Sequence, residues 1–333
     1  MATPLATPAV WTGQGVRIAD VARHLRELRA ESGDERSSTL TSVMNLVAWA
    51  PDLAAAADVE ALTDGLRDHH PSRAIIIVPA DGGDRIDARV EVMSSDIQGS
   101  HRTLVFEQII LTLHGAIASH AGSAVIPLLR SELPTFLWWP TAPDAASPTF
   151  LELVRVADRV VTETGRSLRG REALTQLAAV TANSPAPVTD LAWAILTAWR
   201  QVLTTSLRGD ALTAVRAGTA SAIITCPHGE PSLEALLLGG WLADALGDHV
   251  QIAFAHTAGA DDILGVKIEA HGICVVELVR GDADNHVTLR TAAGGPRSLP
   301  LPPPNRRELL AGELELRGHD HPLERALAKA VRF

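Results

Sequence analysis

Lysine is almost absent from this sequence: of 29 basic side chains, only Lys267 and Lys329 are not arginine. The formal net charge is −10, which argues against a general nucleic-acid or anionic-membrane binder, since both need a basic footprint. Cysteine is equally scarce. Cys226 and Cys274 stand too far apart for a zinc knuckle and are too few for a disulfide framework, so two reduced thiols are expected. No window reaches the roughly 18 consecutive apolar residues that a membrane helix needs. The first residues, with Pro4 and Pro8, lack the basic-then-apolar pattern of a secretory leader. Together these absences predict a soluble, cytoplasmic protein.

Motifs that carry chemistry are missing in the same way. Gly13-Gln14-Gly15 precedes a helical pattern but has neither a third glycine nor a preceding strand, so it is no dinucleotide fingerprint. Neither lysine stands in a phosphate loop, and no Gly-x-Ser-x-Gly elbow exists. His69-His70 and His319-Asp320-His321 read as solvated turn residues rather than metal ligands. Cys226-Pro227-His228 follows one apolar strand and His256 lies just past the next. If those strands are parallel neighbours, the three residues share the carboxyl edge where α/β sheets bind ligands. No carboxylate at suitable spacing completes a zinc site there, and a thiol with two turn histidines is the plainer reading. No cofactor is expected.

What is present is a long alternation of helical and strand patterns. The length of 333 residues suggests two domains, and Asn183-Ser184-Pro185-Ala186-Pro187 is the best linker, giving domains 1–183 and 184–333. Apolar residues at Ile18, Val21, Leu25 and Leu28 mark an amphipathic helix after an irregular start over 1–15. Arg73-Ala74-Ile75-Ile76-Ile77-Val78-Pro79 is a continuous aliphatic run, the signature of a strand covered on both faces. Thr39–Ala50, Ala88–Val92, Leu104–Leu113 and Arg159–Thr162 read as further strands, and Leu53–Leu66 and His120–Leu129 as helices. Past the linker, Asp190–Leu207 reads as one helix, capped by Asp190 or Thr189. Pro231 is placed at the first position of a helix reaching Leu246. Three to four strands follow, then a Gly/Pro loop over 294–304 and two terminal helices. The fold class is α/β, or mixed α+β, with each domain a mixed β-sheet covered by helices.

Several residues sit in conflict with their surroundings. Trp138 and Trp139 are adjacent on a strand and so face opposite sides, which demands that both sides be covered. Glu107 and Gln108 interrupt an apolar strand and need polar partners. Arg73, and Arg159 beside Asp158, are read as structural ion-pair sites. Trp193 and Trp199 are six residues apart, roughly 600° around a continuous helix, and do not share a face.

Particular stretches resemble the glucose-6-phosphate dehydrogenase assembly protein family, OpcA. They are His70–Ile77, Phe106-Glu107-Gln108-Ile109, Leu133–Pro140, Ala157-Asp158-Arg159-Val160-Val161, Thr189–Arg200 and Glu308–Leu314. The double-Trp stretch and the Asp-Leu-Ala-Trp…Trp-Arg segment are specific in combination. The chain departs from the pattern at Val105-Phe106, where relatives often carry Cys-Ser, and at Ala198, where proline is usual. The resemblance implies a non-enzymatic protein that binds oligomeric glucose-6-phosphate dehydrogenase and promotes its active state. Contact residues expected on that basis are Trp138, Trp139, Arg73, Gln108, Asp190, Trp193, Trp199 and Arg200. The competing expectation is an enzyme or sensor for a sugar phosphate or nucleotide, with its site near Cys226, His228 and His256.

Overall fold

A computed structural model describes residues 8–31, 42–67, 70–96, 103–227, 229–258, 263–281, 285–292, 294–302 and 305–333. In chain order the elements are β1 (Ala9–Gly13), α1 (Ile18–Glu31), β2 (Met44–Trp49), α2 (Leu53–Gly65), β3 (Ser72–Ala80), β4 (Arg85–Asp96) and β5 (Thr103–His114). They continue with α3 (Ala121–Val125), β6 (Thr135–Trp139), α4 (Pro148–Val154), β7 (Arg159–Thr162), α5 (Gly170–Asn183), β8 (Val188–Asp190), α6 (Leu191–Ile195), α7 (Thr197–Ser206) and α8 (Asp210–Ala217). Then come β9 (Ala220–Pro227), α9 (Leu233–Leu246), β10 (Val250–Thr257), β11 (Gly265–Ala270), β12 (Ile273–Arg280), β13 (His286–Thr291), β14 (Gly294–Pro300), α10 (Arg306–Glu315) and α11 (His321–Ala330). The chain is mixed α/β and forms two compact units. Unit 1 comprises Met1–Thr162, Ser184–Val188 and Leu310–Gly318; unit 2 comprises Glu163–Asn183, Thr189–Leu309 and His319–Phe333.

The sheet of unit 1 has the order β1-β4-β5-β3-β2-β6-β7-β8. Its centre is parallel: β2 pairs β3 and β6, β3 pairs β5, and β6 pairs β7. The antiparallel strands β4 and β1 extend one side. Every residue of β6 and β7 is buried, as are Arg73 to Val78 of β3. An aliphatic side chain on either face of these strands therefore leaves water, which is why the run at 73–79 shows no alternation. At about 25 cal/mol per Å² of apolar area, each fully buried Ile or Leu contributes about 2 kcal/mol.

The sheet of unit 2 has the order β10-β9-β11-β12-β13-β14, with β9 and β10 parallel and the other pairs antiparallel. Here the strands alternate. Ala220, Ala222, Ile224 and Cys226 of β9 are buried, while Ser221, Ile223, Thr225 and Pro227 are half-exposed. The apolar helix α9 packs on β9 and β10, and α11 packs on α9. A Cβ on Gly240 would meet the Ala326 carbonyl oxygen at 2.1 Å, so glycine is what lets those two helices touch.

Five local expectations are corrected. Residues 9–13, expected to be irregular, form β1 along β4. Over 120–129 a single helix gives way to short 3-10 turns flanking α3, because Pro127 removes an N–H that a longer helix would use. The expected helix 190–207 breaks at Leu196, whose N–H bonds the Trp193 carbonyl three residues back and tightens the turn. Trp193 and Trp199 are both buried, at 1% and 3% exposure. Pro231 lies outside its helix, which starts at Leu233 because Ser232 accepts the Ala235 N–H. Gly294–Pro300 is a strand, not a loop: β14 is an edge, where Pro296 and Pro300 are tolerated.

Candidate functional site

In unit 1, β3 and β5 lie on one side of β2, and β6 and β7 on the other. The chain therefore changes direction between β2 and β6, and outside the carboxyl ends of those strands is where doubly wound sheets hold ligands. That crevice is filled by aromatic side chains. Trp49 and Trp139 end the two strands and stack with ring centroids 4.7 Å apart and planes 8° from parallel. Phe150 of α4 meets Trp139 edge-on at 5.2 Å and 87°. Offset and edge-on ring pairs of this kind add roughly 1 kcal/mol each beyond area burial. The helix that follows β2 begins at Asp52, whose carboxylate accepts the Ala55 N–H at 2.8 Å. A negative side chain thus occupies the helix N-terminus that a phosphate would use. Trp138 points away from this cluster, and no solvent reaches it.

At the amino ends of the same strands lies a buried ionic group. Glu107 of β5 stands opposite Arg73 of β3 in register, and Arg73 Nε donates to Glu107 Oε2 at 2.6 Å. Arg73 Nη1 also donates to the Leu128 carbonyl at 2.6 Å, and Arg29 Nε lies 3.1 Å from Glu107 Oε1. Gln108 accepts from Arg67 Nη2 at 2.9 Å. Arg159, 2% exposed, donates to Glu313 at 2.9 Å and to the Gly318 carbonyl at 2.6 Å. The polar residues that conflicted with their apolar strands are each answered by a partner.

In unit 2, Asp190 is fully buried and caps α6 by accepting the Ala192 N–H at 2.9 Å, while its second oxygen accepts the Thr164 N–H at 2.8 Å. The Trp193 indole N–H donates to Asp320 at 2.9 Å, and the Arg200 guanidinium lies 3.6 Å above the Trp193 ring. Arg280 stands over Trp199 at 5.6 Å. Sequence reasoning singled out neither Trp49, Phe150, Asp320 nor Arg280. Trp49 had a legible signal: Trp49-Ala50-Pro51 ends an apolar strand much as Trp139-Pro140 does. Asp320 and Arg280 had none, since each acts at a distance in sequence.

Two of the three residues of the second expected site are brought side by side. β9 and β10 are parallel, and Cys226 stands opposite His256 in register. Cys226, however, is fully buried, and His256 Nδ1 lies 3.0 Å from the Pro227 carbonyl. His228 and His69 lie outside the described residues. His319 and His321 both bond Glu324, at 2.6 and 2.9 Å, and hold its carboxyl below the usual range. Among the described residues, no three His, Cys, Asp or Glu side chains are grouped to hold a metal ion. Nor is any described helix long and apolar enough to cross a membrane.

Two sequence-family models match the chain. One, described as the glucose-6-phosphate dehydrogenase subunit N-terminal domain, covers residues 63–179. The other, the C-terminal domain of the same subunit, covers residues 186–327. A Synechocystis sp. protein provisionally named OxPP cycle protein OpcA is 25% identical over 157 residues, 46% of this chain. The matched region spans about a third (32%) of that relative's length. Among solved structures, an NAD-binding oxidoreductase from Klebsiella pneumoniae superposes at 7% identity with a TM-score of 0.42, covering 87% of this chain and 94% of its own. A levoglucosan dehydrogenase bound to NADH and L-sorbose does so at 9% identity with a TM-score of 0.40, covering 87% and 95%. Likeness at that level carries no functional argument.

Proposed function

The chain belongs to the glucose-6-phosphate dehydrogenase assembly protein family, OpcA, and from that premise we propose that it is a non-catalytic protein that binds glucose-6-phosphate dehydrogenase and favours its assembled, active form. Such a protein acts by binding the active arrangement of an oligomeric partner more tightly than the inactive one, and its differential affinity sets the size of the shift. Through that enzyme it governs entry into the oxidative pentose phosphate pathway, in the cytoplasm and without nucleic acid or membrane.

The observation that supports the non-catalytic part of this reading is the filled crevice. The place where a doubly wound sheet would seat a nucleotide holds Trp49, Trp139 and Phe150, with the Asp52 carboxylate at the adjoining helix start. Partner contact through Trp138, Trp139, Arg73, Gln108, Asp190, Trp193 and Trp199 is indirect in this proposal. All seven are buried in this conformation, and they fix the surface above them; Arg200 is the half-exposed member of the set. Arg200 also joins the two features enriched at interface hot spots, a guanidinium and a tryptophan ring.

Mixing the purified chain with glucose-6-phosphate dehydrogenase tests the reading. Co-elution on size exclusion and a higher kcat/KM for glucose 6-phosphate are expected, with Arg200→Ala weakening both. A mixture that neither co-elutes nor changes the kinetics would sink it.

A further inference from the structure

In unit 2, the β11–β12 and β13–β14 hairpins and the turn between α7 and α8 border a half-open cavity of about 740 Å³. That volume falls in the range of sites that hold small organic ligands, about 300–1,000 Å³. Its lining divides by chemistry. Val275 and Leu289 with Ala211 supply an apolar wall, and Arg208, His271 and Arg297 are exposed beside it. Among the described residues these three side chains make no hydrogen bond and no ion pair. The cavity arginines are uncommitted, unlike Arg73 and Arg159 in unit 1, which are paired with buried carboxylates. In a chain of net charge −10 this is an unusual concentration of unspent positive charge, opposed in the lining only by Asp210.

His271 is held in a defined place. It has φ of +52° and is followed by Gly272 at +75°, the two central residues of the tight turn joining β11 to β12. Such turns favour Asn, Asp or Gly at the first position, and histidine is among the few other residues enriched at positive φ. The ring sits over Gly218, where an added Cβ would meet His271 Cε1 at 2.1 Å.

We propose that this cavity binds a small organic anion with an apolar body, a carboxylate or a phosphate ester, its charge on Arg208, Arg297 and His271 and its body against Val275 and Leu289. Neither the cavity nor its ligand depends on the dehydrogenase-binding reading.

The probe is 1-anilinonaphthalene-8-sulfonate, which carries both an apolar ring system and an anion, titrated into the full-length chain. The expected result is saturable binding competed by AMP or by octanoate, which separate the phosphate-ester and acyl-carboxylate sources, and not by inorganic phosphate. Arg208→Gln combined with Arg297→Gln, both at exposed positions, should weaken the probe at least about tenfold, as the loss of two charge-assisted contacts requires. His271→Asn should weaken binding several-fold while raising Tm by about 2 °C, because it suits the turn better. Binding that does not saturate overturns the proposal, as does affinity unchanged in both variants. Displacement by inorganic phosphate but by neither organic anion overturns it too.

Discussion

Ile75 and Ile76 are successive residues of β3 that face opposite sides, and both are fully buried. Ile223 and Ile224 are successive residues of β9; Ile224 is fully buried and Ile223 is half-exposed. The first sheet is an interior, covered on both faces at its centre, whereas the second is a boundary with one face towards helices and one open. The difference governs what each can tolerate. A charge in the first sheet must find a buried partner, as Arg73 does in Glu107 and Arg159 in Glu313. On the open face of the second, Lys267, Glu269, Glu277 and Arg290 form a ladder of ion pairs that solvent screens.

Removal of one buried charge should have the largest effect on the first sheet. Arg73→Met leaves Glu107 with Arg29 alone and should cost about 3–5 kcal/mol in urea unfolding. Arg73→Met combined with Glu107→Leu should recover most of that loss, because an apolar pair of similar volume is close to neutral. If the double variant is no better than the single one, the pair is more than mutual compensation.

Next in size are the isoleucines. Ile75→Ala and Ile76→Ala should each cost about 3 kcal/mol, as should Ile224→Ala, whereas Ile223→Ala should cost under about 1 kcal/mol. Equal losses at Ile223 and Ile224 would mean that the second face of β9 is covered as well.

A smaller effect distinguishes the margin of the first sheet from its centre. Asp87 of β4 accepts the Gly15 N–H at 3.0 Å and lies 2.9 Å from His114 Nε2. The Gly15 hydrogen bond is the main cause holding its carboxyl below the usual range, with His114 adding to it. A depressed carboxyl stabilises the fold above its unfolded value, near pH 4, and that stability is lost as pH falls through the lower folded value. Asp87→Asn should therefore unfold at lower urea than wild type at pH 7, and the gap should close in scans below about pH 4. A gap that persists in acid would assign the effect to shape rather than charge.

The finest distinction is between the two thiols. Cys226 is fully buried on the inner face of its sheet; Cys274, on the open face, is partly accessible, and burial, reinforced by Glu277, pushes its thiol up. With a thiol-reactive dye in native buffer, Cys274 should label slowly and Cys226 not until unfolding. Labelling of both at one rate would contradict the one-sided packing of unit 2.

Much of this architecture is legible in residue order because burial writes itself as period. The unbroken run at 73–79 announces two covered faces, and the double tryptophan demands the same of β6. Glu107 inside an apolar strand announces a partner, though not which one: Arg73 and Arg29 reach it through register and helix packing that no local pattern encodes. The break at Leu196 was hidden because every residue from 191 to 206 is compatible with a helix. Strand β14 was hidden by the opposite effect, since its glycine and proline content is that of a loop and only pairing with β13 makes it a strand. The crevice between β2 and β6 needed strand order, which composition does not contain. Trp49, ninety residues from Trp139, became its neighbour only through topology.

Arg159 closes unit 1 with residues that the ribosome delivers more than 150 positions later, Glu313 and Gly318. During synthesis its guanidinium waits beside β7 without a counter-charge while the whole of residues 163–309 emerges. Chains grow at about 5–20 residues per second, and leading domains ordinarily fold as they appear. Here the leading unit is left open at one seam for many seconds. Nascent chains arrested before residue 313 should therefore be cut readily by protease near 159, and chains arrested past 318, with the tail clear of the exit tunnel, should not.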